Sequence, residues 1–121
     1  MHNVRVEFKN EEWGRVVVIN GVEVGRIVDN VVSLDVYSPQ YPESGSRINL
    51  GWAGSLMYSR VSMGSHIIEL IGHEHDGLRE LISVRIILGS EVSDDELSSI
   101  ILKVMEQYMD KELLRIIEQH P

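Results

Sequence analysis

The sequence predicts an α+β fold: a mostly antiparallel β-sheet built from hairpins, packed by one long C-terminal amphipathic helix. Three observations lead there. Val and Ile supply 28 of the 121 residues, and such β-branched side chains, stiff at χ1, sit well on a pleated surface. Turn signals separate short apolar runs through residues 1–90. A single capped segment with a 3.6-residue apolar period then closes the chain. This length suits one domain, β-rich over 1–90 and helical over 93–119.

Segment 4–8 alternates, with Val4, Val6 and Phe8 on one face and Arg5 and Glu7 on the other. Asn10 to Gly14 reads as a turn. Residues 15–19 then run into Asn20-Gly21, the strongest short hairpin signal, because a type I′ turn needs positive φ at both central positions. Asp29-Asn30 offers a second turn before a strand at 31–37 with Val32, Leu34 and Val36 inward. Residues 38–65 lose the pattern. A compact domain rarely holds so long a structureless stretch, which places a strand near 55–63.

A hairpin follows at 66–88, turning at Asp76-Gly77. A two-residue turn pairs His75 with Leu78, Glu74 with Arg79 and His73 with Glu80. The same register sets Glu69 opposite Val84. Burial there would raise its pKa and demand a partner. Both faces of this hairpin are apolar near its open end, so burial on both sides is expected. One helix covers one face only, which leaves the other for a second sheet or a second subunit. Six or so strands result.

Ser93-Asp-Asp-Glu96 is a capping box, and Asp94 and Asp95 suit the positive end of a helix dipole. Leu97, Ile100, Ile101, Val104, Met105 and Tyr108 form the stripe. After residues 110–112 the apolar positions rotate to Leu113, Ile116 and Ile117, which implies a kink or a contact away from the parent sheet. With the two-faced hairpin, that drift argues for a homodimer.

Composition narrows the function. Lys+Arg total 11 against Asp+Glu 19, a formal charge of -8, so nucleic acid is a poor default partner. Arg15, Arg26, Arg47, Arg60, Arg79 and Arg85 are scattered, and a nucleic-acid surface would need folding to gather them. Without cysteine there are no disulfides, thiolate zinc sites or cysteine nucleophiles. No signal-peptide pattern opens the chain and no apolar run approaches a membrane span, which implies a cytoplasmic protein without a membrane partner.

Two sites stand out. His73 and His75, at i and i+2 on a strand, project from one face with Glu80 opposite His73. Two imidazoles and a carboxylate are a ligand set for zinc or iron with open positions, able to activate water for hydrolysis. A solvated hairpin tip with ordinary His–Glu pairing explains the same residues, with no cofactor. The second site is the Gly/Ser-rich stretch bearing Tyr41, Arg47, Trp52, Tyr58 and Arg60, since Tyr, Trp and Arg dominate interface hot spots. A packed connector with Trp52 in the core is its structural alternative, and a small-ligand pocket between sheet and loop a third. Asp29, Asp35, His66 and Glu69 have no spacing that joins them as acid–base groups, and no Gly-x-Ser-x-Gly motif surrounds any serine.

The stretch Asn49-Leu-Gly-Trp-Ala-Gly54, ahead of further strands and one closing helix, resembles that of small proteasome-assembly chaperones. The helix those proteins carry before their last strand has no room between Gly77 and Arg85, so no residue role transfers. The expectation from sequence is a small acidic, non-enzymatic interaction or assembly module, with a protein partner engaging the 38–60 loop.

Overall fold

A computed structural model describes residues 4–35 and 45–121. Eight strands form one sheet: β1 (Val6–Glu11), β2 (Gly14–Ile19), β3 (Val22–Val28), β4 (Val31–Leu34), β5 (Ser46–Asn49), β6 (Ser55–Met63), β7 (His66–His75) and β8 (Leu78–Ile87). Their order is β1-β2-β3-β4-β8-β7-β6-β5, every neighbouring pair antiparallel. Two helices follow, α1 (Asp94–Tyr108) and α2 (Asp110–Gln119). The fold class is therefore α+β, with eight strands among the described residues rather than about six, and two helices rather than one.

Turn chemistry sets the hairpins. Asn20 (φ 48°) and Gly21 (φ 82°) take the left-handed conformations that close Ile19 onto Val22. Asp29 (φ 54°) and Asp76 (φ 51°) do the same at the β3–β4 and β7–β8 turns. The unforeseen strand is β5. Its four residues, Ser-Arg-Ile-Asn, are all exposed and have no sustained alternation. Pairing with β6, from Ser46↔Tyr58 to Asn49↔Ser55, defines it.

The two helices cover one face of the sheet. From β2, β4, β7 and β8, Val17, Ile19, Val32, Leu34, Ile68, Leu70, Val84 and Ile86 are fully buried there, beside Leu97, Ile101, Val104 and Met105 of α1. The rotated stripe of Leu113, Ile116 and Ile117 joins this same core. Rotation is achieved by a break at Met109 (φ −141°, ψ 36°), a buried residue between the helices. Leu113, Ile116 and Ile117 are thus spent inside the chain and no longer argue for a dimer.

At the start of α1, Ser93 Oγ accepts from the Glu96 N–H at 3.2 Å. The Glu96 carboxylate lies 3.4 Å from the Ser93 hydroxyl, so the return bond of a full capping box is not the one made. Ser93→Ala is expected to cost about 1 kcal/mol, and Ser93→Gly only a few tenths, in urea melts. Equal losses for both would show that the hydroxyl is not capping.

One irregularity decides the functional geometry. Between β7 and β8 the register slips at Ile71/Gly72: Gly72 pairs with Leu81, but Ile71 pairs with Ser83, leaving Ile82 as a bulge. From there outward every β8 partner is shifted by one. Leu70 faces Val84, and Glu69 faces Arg85 instead of Val84. The bulge brings Leu81 and Val84 onto the covered face with Ile68 and Leu70, where all four are fully buried. Ile67, Ile71 and Ile87 go to the other face. They are half-buried only, so the hairpin is not enclosed on both sides as its sequence suggested.

Candidate interaction surface

The sheet face away from the helices is crossed by one row of side chains. Cross-strand partners share a face, so the pairings Lys9↔Val16, Val16↔Arg26, Arg26↔Ser33, Ser33↔Arg85, Arg85↔Glu69 and Glu69↔Arg60 set these seven residues side by side from β1 to β6. Folding gathers arginines that the sequence scatters.

Glu69 anchors this row. Its side chain is only 9% exposed, while Arg60 and Arg85 retain 51% and 43%. The Arg85 Nη2 and Nε groups donate to Glu69 Oε1 at 2.7 and 3.1 Å. Tyr58 donates its hydroxyl to Oε2, and Arg60 Nε lies 3.8 Å from the same oxygen. The Tyr58 hydrogen bond, followed by Arg85, holds the Glu69 carboxyl below its ordinary pKa against the opposing effect of burial. The expected upward shift is therefore reversed, because the bulge supplies an arginine where a valine was foreseen. Tyr58 is raised by the same contact.

Of the loop candidates, Arg60 belongs to this row and Tyr58 flanks it, whereas Tyr41 lies outside the described residues. Arg47 stands apart on β5. It pairs with Glu74, whose carboxyl it holds below the usual range, with Arg79 Nε 3.8 Å from the same side chain. Trp52 is 92% exposed in a 3₁₀ turn, Gly51–Ala53, which overturns the packed-core alternative.

The hairpin tip has the pairing expected, His73↔Glu80 and His75↔Leu78. Its imidazoles are engaged elsewhere. His73 Nε2 sits 2.7 Å from the Ala53 carbonyl and His75 Nε2 3.1 Å from that of Trp52, contacts that make each Nε2 a donor. The rings stack at 6.3 Å, 8° from parallel. Gly54 completes the seat: at φ 90°, a Cβ there would lie 2.0 Å from the Glu74 carbonyl oxygen. The tip thus clamps the 3₁₀ turn. Among the described residues no group of three or more His, Asp or Glu is placed to hold a metal ion.

Several hollows lie away from the loop, one of them beside Arg26. One of about 510 Å³ borders Arg15, Asn30, Leu88 and Val92, where Arg15 is already paired with Asp94 at 2.8 Å. Another of about 430 Å³ lies along Leu102, Leu113 and Ile117. Asp29, Asp35 and His66 are not joined to Glu69: His66 Nδ1 accepts from the Gly89 N–H, and Asp29 is a turn residue. No helix among the described residues is long and apolar enough to cross a membrane.

Fold and surface together define an α+β sheet-and-helix protein with, among the described residues, one covered and one open sheet face. No known family model matches it, and neither a curated protein nor a solved structure is detectably similar.

Proposed function

We propose that this chain is a non-enzymatic protein–protein interaction or assembly module whose partner covers the open sheet face. The supporting observation is the sheet's asymmetry. One face is sealed by α1 and α2; the other keeps Ile67, Ile71 and Ile87 half-buried around an ordered Tyr58–Glu69–Arg85–Arg60 cluster. Aliphatic side chains beside Tyr and Arg are what interface hot spots use. Rigid strands hold them in place before a partner arrives, which lowers the ordering cost of binding. Of the two sequence arguments for a homodimer, only the isoleucines of this face remain.

Ile71→Glu tests the reading. The variant is expected to keep the wild-type circular dichroism and melt cooperatively, yet to lose whichever partner the wild type holds, a second copy in sedimentation or a protein retained from a cell extract. A variant that self-associates or retains protein like the wild type overturns the assignment of this face. So does a wild-type protein that sediments only at 13.8 kDa and retains nothing.

A further inference from the structure

We infer that the open face binds an extended, proline-rich acidic segment of a partner protein, with carboxylates at every third position. This rests on the open face being the interaction surface. The charge pattern of the row then selects the occupant. From β3 to β6 it reads Arg26, Ser33, Arg85, Glu69, Arg60, so a guanidinium stands on every second strand. The Arg26 side chain has no hydrogen-bond or ion-pair partner among the described residues, and Arg60 and Arg85 remain about half exposed beyond their hold on Glu69.

Strands are spaced ~4.8 Å, so the arginine backbone positions recur every ~9.6 Å. A polyproline II segment rises ~3.1 Å per residue with three residues per turn, which sets every third side chain on one face at ~9.3 Å. The two periods match. A carboxylate at each turn meets Arg26, Arg85 and Arg60, while the intervening positions pass over Ser33 and Glu69, where an acid would be repelled. Along the β8–β6 half the flanks are uncharged: Ser83, Ile71 and Tyr58 on one side, Ile87, Ile67 and Ser62 on the other. Tyrosine and isoleucine ledges suit proline rings.

Other covers fit less well. A second copy laid on this face sets the row over itself, and only a dyad beside Glu69 pairs unlike charges. A nucleic acid carries a phosphate every ~3.4 Å along each strand, so some of them fall over Glu69 rather than over the arginines alone. Towards β1 the acids Glu7 and Glu23 flank the row through Val18, and Asp35 lines the hollow beside Arg26. That end repels an acidic segment, which places the binding register between Arg26 and Arg60.

The test uses fluorescently labelled peptides on the full chain. Repeated Glu-Pro-Pro is the probe. Repeated Lys-Pro-Pro, a peptide of identical composition with its glutamates bunched in pairs, and a single-stranded oligonucleotide are the comparisons. Glu-Pro-Pro is expected to bind best and to weaken with salt. Arg26→Ala and Arg60→Ala are each expected to weaken it about three- to fivefold, as half-exposed charge pairs do. Equal binding of the bunched or lysine peptide overturns the proposal, as does tighter binding of the oligonucleotide or no effect of either substitution. If no peptide binds while Ile71→Glu still abolishes a captured partner, the face is an interaction surface with a different occupant. A dimer dissociated by Arg26→Glu assigns the face to a second copy and also overturns the proposal.

Discussion

Ile101→Ala is expected to lower the unfolding free energy by about 2–5 kcal/mol, a large part of the ~5–15 kcal/mol of a typical domain. Ile101 is fully buried in α1 among the residues that join helix to sheet. Removing three heavy atoms there forfeits their transfer free energy and leaves a cavity lined by β-branched side chains that relax poorly. At about 4 °C per kcal/mol for this size, the melting temperature should fall by roughly 8–20 °C. Leu114→Ala supplies the contrast. Leu114 is 42% exposed on α2, and surface substitutions of this kind stay within about 0.5 kcal/mol. Near-equal losses at the two positions, measured in urea, would mean that α1 does not seal the sheet.

That contrast was legible in the sequence because helix burial follows a period. Leu97, Ile101, Val104 and Met105 recur on one face, and all four are buried. The drift after Asp110 was equally readable and corresponds to the break at Met109. Hairpins declared themselves through Asn20-Gly21 and Asp76-Gly77, where few residues tolerate positive φ. β6 spans Ser55–Met63, where a strand was expected from loop-length reasoning alone. β5 had no such signal, since a four-residue edge strand takes its identity from its neighbour.

The site was hidden for a different reason. A bulge changes every pairing beyond it and breaks the alternation of the strand that contains it, here between Leu81 and Val84. Read without the slip, Glu69 meets a valine; with it, an arginine. Gly72, an isolated glycine inside an apolar strand, was the available hint, because such glycines often mark bulges. The arginine row stayed invisible because it joins Lys9, Arg26, Arg60 and Arg85 across strands far apart in sequence. Tyr58 and Arg60 sit in a stretch that reads as a loop surface, and nothing in its spacing points to Glu69 as their common partner.

Glu69 gives the second large effect, and its sign follows from linkage. Glu69→Leu removes three acceptor contacts, from Tyr58 and from two nitrogens of Arg85. Hydrogen bonds to a charged group contribute about 1.5–3 kcal/mol each when enclosed, but both donors here reach water once released, so a total loss of about 1–3 kcal/mol is expected. Glu69→Gln keeps an acceptor and should lose less. The carboxyl's folded pKa is depressed below its ordinary value of 4.5. Its stabilisation is therefore fully present above that value and is lost as pH falls through the folded pKa. Glu74, depressed by Arg47, adds a loss of the same sign, but it is present in both proteins and cancels in the comparison. The difference in unfolding free energy between wild type and Glu69→Gln should hold constant from pH 7 to about 5 and then shrink in acid. A difference that is flat or growing below pH 4.5 would mean that the Tyr58–Glu69–Arg85 cluster does not form in solution. In alkali the raised Tyr58 phenol works in the opposite sense, its contribution being present below pH 10 and lost as pH rises through the folded value. Tyr58→Phe should abolish that alkaline loss and diminish the acid one, because the hydroxyl is the largest cause of the depressed Glu69 pKa.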